Sequence, residues 1–123
     1  MTGSRQRLGA RGEELAVAHL TAAGLVILDR NWRCRHGEVD IVALDGEAPD
    51  STLVFCEVKL RTGTGFGTPL EAITVAKVRR LRRLAGAWLE EHPTGGVRVR
   101  LDAIGILKRP GYAPEVTHVQ GIG

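Results

Sequence analysis

Two β-rich runs, Glu38-Val39-Asp40-Ile41-Val42-Ala43-Leu44 and Leu53-Val54-Phe55-Cys56-Glu57-Val58-Lys59-Leu60, flank the segment Asp45–Thr52 (DGEAPDST) and decide how this chain is read. The Gly, Pro, Asp and Ser between them make a loop, so the runs predict an antiparallel hairpin. In the second run Leu53, Phe55, Glu57 and Lys59 alternate onto one face, and Val54, Cys56, Val58 and Leu60 onto the other. Both faces are apolar until the strand's end, the pattern of an interior strand covered on each side. Pairing Leu44 with Leu53 brings Asp40 opposite Glu57, with Lys59 next on the same face. A one-residue slip would turn the apolar face outward. Directly opposed carboxylates destabilise a strand pair, so this register requires a protonated partner, an intervening basic side chain or a bound cation.

Outward from the hairpin, the upstream residues predict a helix over Arg5–Ala23, with Glu13, Ala16, Leu20 and Ala23 on one face and Gly24 as the stop. Glu14 falls off that face, toward solvent. A short strand over Leu25–Asn31 and a basic link (Arg33, Arg35, His36, Gly37) complete the approach to the hairpin. Downstream, the Gly-rich link Thr62–Gly67 leads into a long helix. Thr68, Pro69 and Glu71 predict its N-cap, first-turn proline and capping-box carboxylate, and the helix runs to about Glu91. After His92–Gly96, strands follow over Val97–Leu107 and, past a turn at Pro110–Gly111, Glu115–Val119. The order α-β-β-β-α-β-β predicts an α/β fold with a mixed sheet and helices packed on it.

The chain has 123 residues, 43% of them apolar, the size and composition of one domain with its own core. Apolar stretches of only a few residues exclude a membrane-spanning helix, and the polar, basic start has no signal-peptide character, so the expected location is cytoplasmic. Cys34 and Cys56 lack the spacing of a redox or zinc motif and read as reduced thiols. Net charge is +3, and 14 of the 17 basic residues are Arg, whose planar fork suits phosphate. Aromatic content of 4% argues against base-stacking platforms and for contact with a nucleic-acid backbone.

The carboxylate pair carries the chemistry. Two hard oxygen ligands that leave the remaining positions to water and substrate suit Mg²⁺ or Mn²⁺. Such an ion activates water and stabilises charge on phosphorus, while Lys59 orients the nucleophile or shares that charge; this is phosphodiester hydrolysis. Glu57-x-Lys59 alone reads in the first place as a local pair on a surface hairpin, and the opposed Asp40 brings the functional reading level with it. On the long helix Leu70, Ile73, Leu81, Leu84 and Trp88 define the apolar stripe, and Lys77 falls within it. Lys77 either snorkels at the edge of the core or reaches toward the carboxylates or a phosphate. Arg79, Arg80, Arg82 and Arg83 cover the other faces with no acidic residue between Glu71 and Glu90, a stripe able to track phosphates. Gly63, Gly65 and Gly67 lack the residues that complete a phosphate loop, and Cys34 with His36 lacks further ligands. Asp102, near Arg98 and Arg100, reads as a structural ion pair.

Gly12-Glu13-x-x-Ala16, Asn31, Gly37-Glu38-Val39-Asp40-Ile41, Val54-Phe55-Cys56-Glu57-Val58-Lys59-x-Arg61, Phe66-Gly67-x-Pro69, Lys77 and Leu101-Asp102 resemble the YraN family of small bacterial proteins over nearly the whole chain. That family is similar to the PD-(D/E)XK nucleases, especially the archaeal Holliday-junction resolvases. The resemblance implies a restriction-endonuclease-like mixed sheet flanked by helices and a metal-dependent endonuclease site. By motif position it implies Asp40 and Glu57 as metal ligands, the Val58 carbonyl as a further ligand, Lys59 as the lysine of the ExK element and Glu13 as the helix carboxylate. Val39 stands where the PD element has proline. The expected cofactor is Mg²⁺ or Mn²⁺, the expected partner DNA in preference to RNA, and the expected assembly a homodimer. Arg61, Lys77 and Arg79, Arg80, Arg82 and Arg83 are the expected phosphate contacts. The reading from another class is a nucleic-acid-binding module that keeps the fold without catalysis.

Overall fold

The computed structural model describes residues 4–63 and 67–123, with side chains from Arg11 onward in the first helix. Gly65 and Phe66, named above for the glycine-rich link and the resemblance, lie outside the described residues. The elements are α1 (Ser4–Ala22), β1 (Val26–Cys34), β2 (Gly37–Asp45), β3 (Thr52–Arg61), a 3₁₀ turn (Pro69–Ala72), α2 (Val75–Glu91), β4 (Arg98–Leu107) and β5 (Glu115–Val119). The five strands lie in the order β1-β2-β3-β4-β5, so every chain neighbour is a sheet neighbour. β3 and β4 are parallel, and the other three pairings are antiparallel. A parallel pair needs a crossover, and α2 supplies it. This is the α/β, restriction-endonuclease-like arrangement that the order of elements and the resemblance led us to expect.

The double alternation of β3 is realised in two cores. Val54 and Cys56 pack with Ile41, Ala43, Ile104 and Ile106 beneath Ala16 and Leu20 of α1. Leu53 and Phe55 pack with Val39, Val42 and Leu101 against Leu81, Leu84, Ala85 and Trp88 of α2. α1 ends as its sequence predicts: Gly24 has φ 93°, Leu25 N–H donates to the Leu20 carbonyl (3.0 Å) and Gly24 N–H to that of Thr21 (3.0 Å). These paired bonds form a Schellman cap, and the residue after the glycine, Leu25, is buried with Leu20. Ala23 therefore leaves the helical face and is exposed. β1 continues to Cys34, absorbing half of the segment expected as a basic link. Among the described residues no helix is long and apolar enough to cross a membrane.

The start of the long helix differs from expectation. Pro69–Ala72 forms a separate 3₁₀ turn in which Thr68 makes no side-chain cap, so the capping box of Thr68 and Glu71 does not form. α2 begins after Thr74, whose Oγ1 accepts a hydrogen bond from Lys77 N–H (3.2 Å). Gly105 explains the break. A side chain there would meet Pro69 Cβ and Leu70 Cγ at 3.0 Å, so the turn lies directly on the β4 backbone instead of extending the helix axis. Leu70 and Ile73 accordingly belong to the turn and the link, and not to the stripe of α2. Thr74→Ala is expected to lower stability by about 0.5–2 kcal/mol, and Thr68→Ala to leave it unchanged. Urea unfolding of the two variants measures the difference.

Candidate active site

The site lies where β2 and β3 part. Their ladder runs from Asp45 opposite Thr52 to Ile41 opposite Cys56, the predicted register, and stops there. β3 stays paired with β4 as far as Arg61. Asp40 is therefore not laddered against Glu57, a correction with a local cause. Val39 is buried on the α2 side and Ile41 on the α1 side, which regular alternation forbids for residues two apart. The extra turn of the backbone falls at Asp40. Opposite it, the β1 ladder passes from Arg30–Ile41 to Trp32–Val39, and the skipped Asn31 has φ 52°. Asn tolerates this left-handed conformation better than most residues.

In place of a cross-strand partner, Asp40 Oδ2 accepts a hydrogen bond from Val58 N–H (2.7 Å). The N–H and C=O of a strand residue point to the same side, so the Val58 carbonyl also faces the opening of the fork. From the other layer comes Glu13, only 8% exposed. Its Oε1 accepts from Asn31 Nδ2 (2.7 Å) and Arg30 Nε (3.3 Å), which fix its position. The preceding Gly12 permits the approach, because a Cβ there would lie 3.1 Å from Leu60 Cβ. Arg80 Nη2 stands 4.0 Å from Glu57 Oε1.

Electrostatics tie these groups together. Burial pushes the Asp40 carboxyl up to about 7, with Glu57, Glu38 and Glu13 adding to the rise against the Val58 hydrogen bond. Burial also raises Glu57, while Arg80, Lys77 and Lys59 hold it down. Lys59 is lowered by burial and by Lys77 and Arg61, with Glu57 and Asp40 opposing. Among the described residues no three His, Cys, Asp or Glu side chains converge tightly enough to hold an ion by themselves.

Of the residues expected here, the structure brings together Asp40, Glu57, Val58, Lys59 and Glu13, with the half-buried Lys77 near enough to influence Glu57. Arg61 ends β3, its buried Nε without a hydrogen-bond partner among the described residues. Arg80 lies beside Glu57, whereas Arg79, Arg82 and Arg83 are exposed. Arg30, the anchoring role of Asn31 and the influence of Glu38 were not foreseen. An asparagine inside a β-rich run was the available signal, since it marks a point where the backbone can leave the ladder. Asp102 is fully buried and separate from this site. It accepts two bonds from Arg100 (2.9 and 3.0 Å), one from Gly121 N–H (3.1 Å), and contacts His118 Nε2 (2.7 Å), so the structural reading stands, without Arg98.

Residues 12–106, which contain Glu13, Asp40, Glu57, Val58 and Lys59, match the uncharacterised protein family UPF0102. The chain belongs to this family. A UPF0102 protein of Mycobacterium ulcerans (strain Agy99) is 54% identical over 122 residues, covering 99% of this chain and 98% of that one. A UPF0102 protein of Mycobacterium tuberculosis (strain ATCC 25618 / H37Rv) is 54% identical over 125 residues, covering 99% and 96%.

This UPF0102 protein should show the titration of Asp40 in its stability. A carboxyl raised in the folded state from 3.8 to about 7 keeps its proton there while the unfolded chain has lost it. With EDTA present, stability should therefore fall as pH rises from about 4 to about 7, by up to about 4 kcal/mol, and level off above. Asp40→Asn removes most of that fall, and the raised Glu57 carboxyl leaves a remainder. Chemical unfolding across the pH range is the measurement.

Proposed function

We propose that this chain is a metal-dependent endonuclease of the PD-(D/E)XK kind that hydrolyses phosphodiester bonds in DNA. The resemblance of its sequence, through the YraN family, to the Holliday-junction resolvases supports branched or otherwise structured DNA as the substrate class and a homodimer as the assembly. The observation that carries the reading is the Asp40 carboxylate, pinned by Val58 N–H at the mouth of the fork beside Glu57 and Lys59. A half-buried carboxyl repelled by three other carboxylates has the charge imbalance that a divalent cation would relieve. The donors, Asp40, Glu57 and the Val58 carbonyl, are hard oxygens, which fit Mg²⁺ or Mn²⁺ rather than zinc. The ion, when bound, supplies acidity to water and positive charge against a phosphoryl group.

The chain's own side chains do the rest. Asp40 and Glu57 would hold the ion, Asp40 from a position fixed by the hydrogen bond it accepts from Val58 N–H. Lys59, partly desolvated, donates a hydrogen bond to the attacking water or to the charge that develops on phosphorus. Glu13, clamped by Asn31 and Arg30, orders water at the opening or adds a ligand. Lys77 and Arg61 meet phosphates beside the reacting one, and Arg79, Arg82 and Arg83 those further along the strand. Arg80, lying 4.0 Å from Glu57, balances that carboxylate and is placed to meet a phosphate beside it.

The test is cleavage of a labelled panel of four-way junction, flap, duplex, single-stranded DNA and RNA in Mg²⁺ and Mn²⁺. Asp40→Ala and Lys59→Ala should abolish cutting, and Asn31→Ala, by loosening Glu13, should cost about 10–100-fold. Mg²⁺ should also raise the melting temperature of the wild type and not that of Asp40→Ala. Salt-sensitive binding without cutting on any substrate, unchanged in Asp40→Ala, would instead establish the non-catalytic binding module.

A further inference from the structure

A cleft of about 300 Å³ separates the β1–β2 turn from the outer side of α2, lined by Arg35, His36, Arg83, Gly86, Ala87 and Glu90. Its floor is the least obstructed part of the helix, since Gly86 has no side chain and nothing within 4 Å of where a Cβ would stand. Its walls are cationic. Arg35 and Arg83 are exposed, and neither has a carboxylate within 4 Å among the described residues. Other arginines near the sheet have such partners: Arg30 has Glu13, Arg33 has Glu38 and Arg100 has Asp45 and Asp102. Arg35 Nε lies 3.3 Å from His36 Nε2 and donates to it, which leaves both terminal amino groups of the guanidinium free. That is the end of the fork that grips a phosphate in bidentate fashion.

Arg80 stands between the surroundings of the cleft and the carboxylate fork. Gly37, next to His36, lies against α2, where a Cβ would be 3.8 Å from Arg80 Cδ, and Arg80 in turn reaches Glu57. Arg83 is one helical turn from Arg80 on the same side of α2. An extended polyanion lying at the fork can therefore pass over Arg80 and meet Arg83 and Arg35 next. Glu90 is the single carboxylate in the lining and opposes any anion there.

We propose that this cleft is a second phosphate-binding subsite, in which Arg35 and Arg83 grip the nucleic-acid backbone beyond the phosphate held at the fork. It rests on the nucleic-acid reading given above but not on catalysis. The test is equilibrium binding of a labelled four-way junction and a duplex in EDTA, between about 50 and 200 mM salt, for the wild type, Arg35→Ala with Arg83→Ala, Glu90→Gln, and Arg98→Ala as an exposed control. The double variant should bind on the order of tenfold more weakly and lose about 0.9 from the slope of log K against log salt for each phosphate contact removed. Glu90→Gln should bind more tightly, and Arg98→Ala should match the wild type.

Cleavage intact and binding slope unchanged in the double variant would overturn the subsite and leave the nuclease standing. The predicted slope change with no cleavage by the wild type would sink the nuclease and sustain the subsite. A wild type with no affinity for nucleic acid at low salt would overturn both, and binding of an Arg35- and Arg83-dependent acidic peptide in its stead would assign the cleft to a protein partner.

Discussion

Strand β3 has to satisfy two sheet neighbours and two apolar faces at once, and the rest of the molecule is arranged around that demand. A strand buried on both sides needs a helix over each face, and α1 and α2 provide them. Its parallel pairing with β4 fixes the place of α2 in the chain, because only a crossover can return the backbone to the same end of the sheet. Losing the cover on either side would expose residues that are now wholly buried, Val54 and Cys56 on one face and Leu53 and Phe55 on the other.

The candidate site is the consequence of β3 being longer than its pairing with β2. Past Cys56 the strand continues with β4 alone, and the side that faced β2 opens. A backbone N–H left unpaired in a partly buried place costs free energy, and the Asp40 carboxylate offsets that cost for Val58. The same bond that repairs the ladder aims a carboxylate at the opening. Structural need and the proposed chemical use therefore coincide in one hydrogen bond, beside the irregular backbone at Asn31.

Charge is distributed unevenly around this fork. Four acidic residues, Asp40, Glu57, Glu38 and Glu13, come from three elements, and burial together with their mutual repulsion opposes the ionisation of Asp40. Basic groups compensate only in part: Arg30 on Glu13, Arg33 on Glu38 and Arg80 near Glu57. Arg79, Arg82 and Arg83 of α2 and Arg35 of the β1–β2 turn lie outside these pairs and give the surface beyond the fork the opposite sign. In the proposed function a cation in the negative notch and a phosphate on its arginine rim would each reduce the penalty of placing the other.

The order of elements, the β2–β3 register and the double burial of β3 were legible in the residues, because alternation and turn chemistry are local and act over a few positions. So was the inward direction of Glu13, one turn before Ala16 on the face that Leu20 buries. Two things were not legible. Thr68, Pro69 and Glu71 have every local mark of a helix start, yet Gly105, distant in sequence, lets that turn lie on β4, so tertiary packing overrode a local signal. The second is the fork itself. Alternation predicts that Asp40 faces Glu57, but where a ladder ends depends on how its neighbours twist and pack, and no local pattern encodes that. Alternation and turn chemistry, being local, set Asp40, Glu57 and Lys59 toward the same end of the hairpin; packing between distant elements decided that Asp40 meets Val58 N–H instead of a cross-strand partner, and that Asn31 and Arg30 hold Glu13 in place.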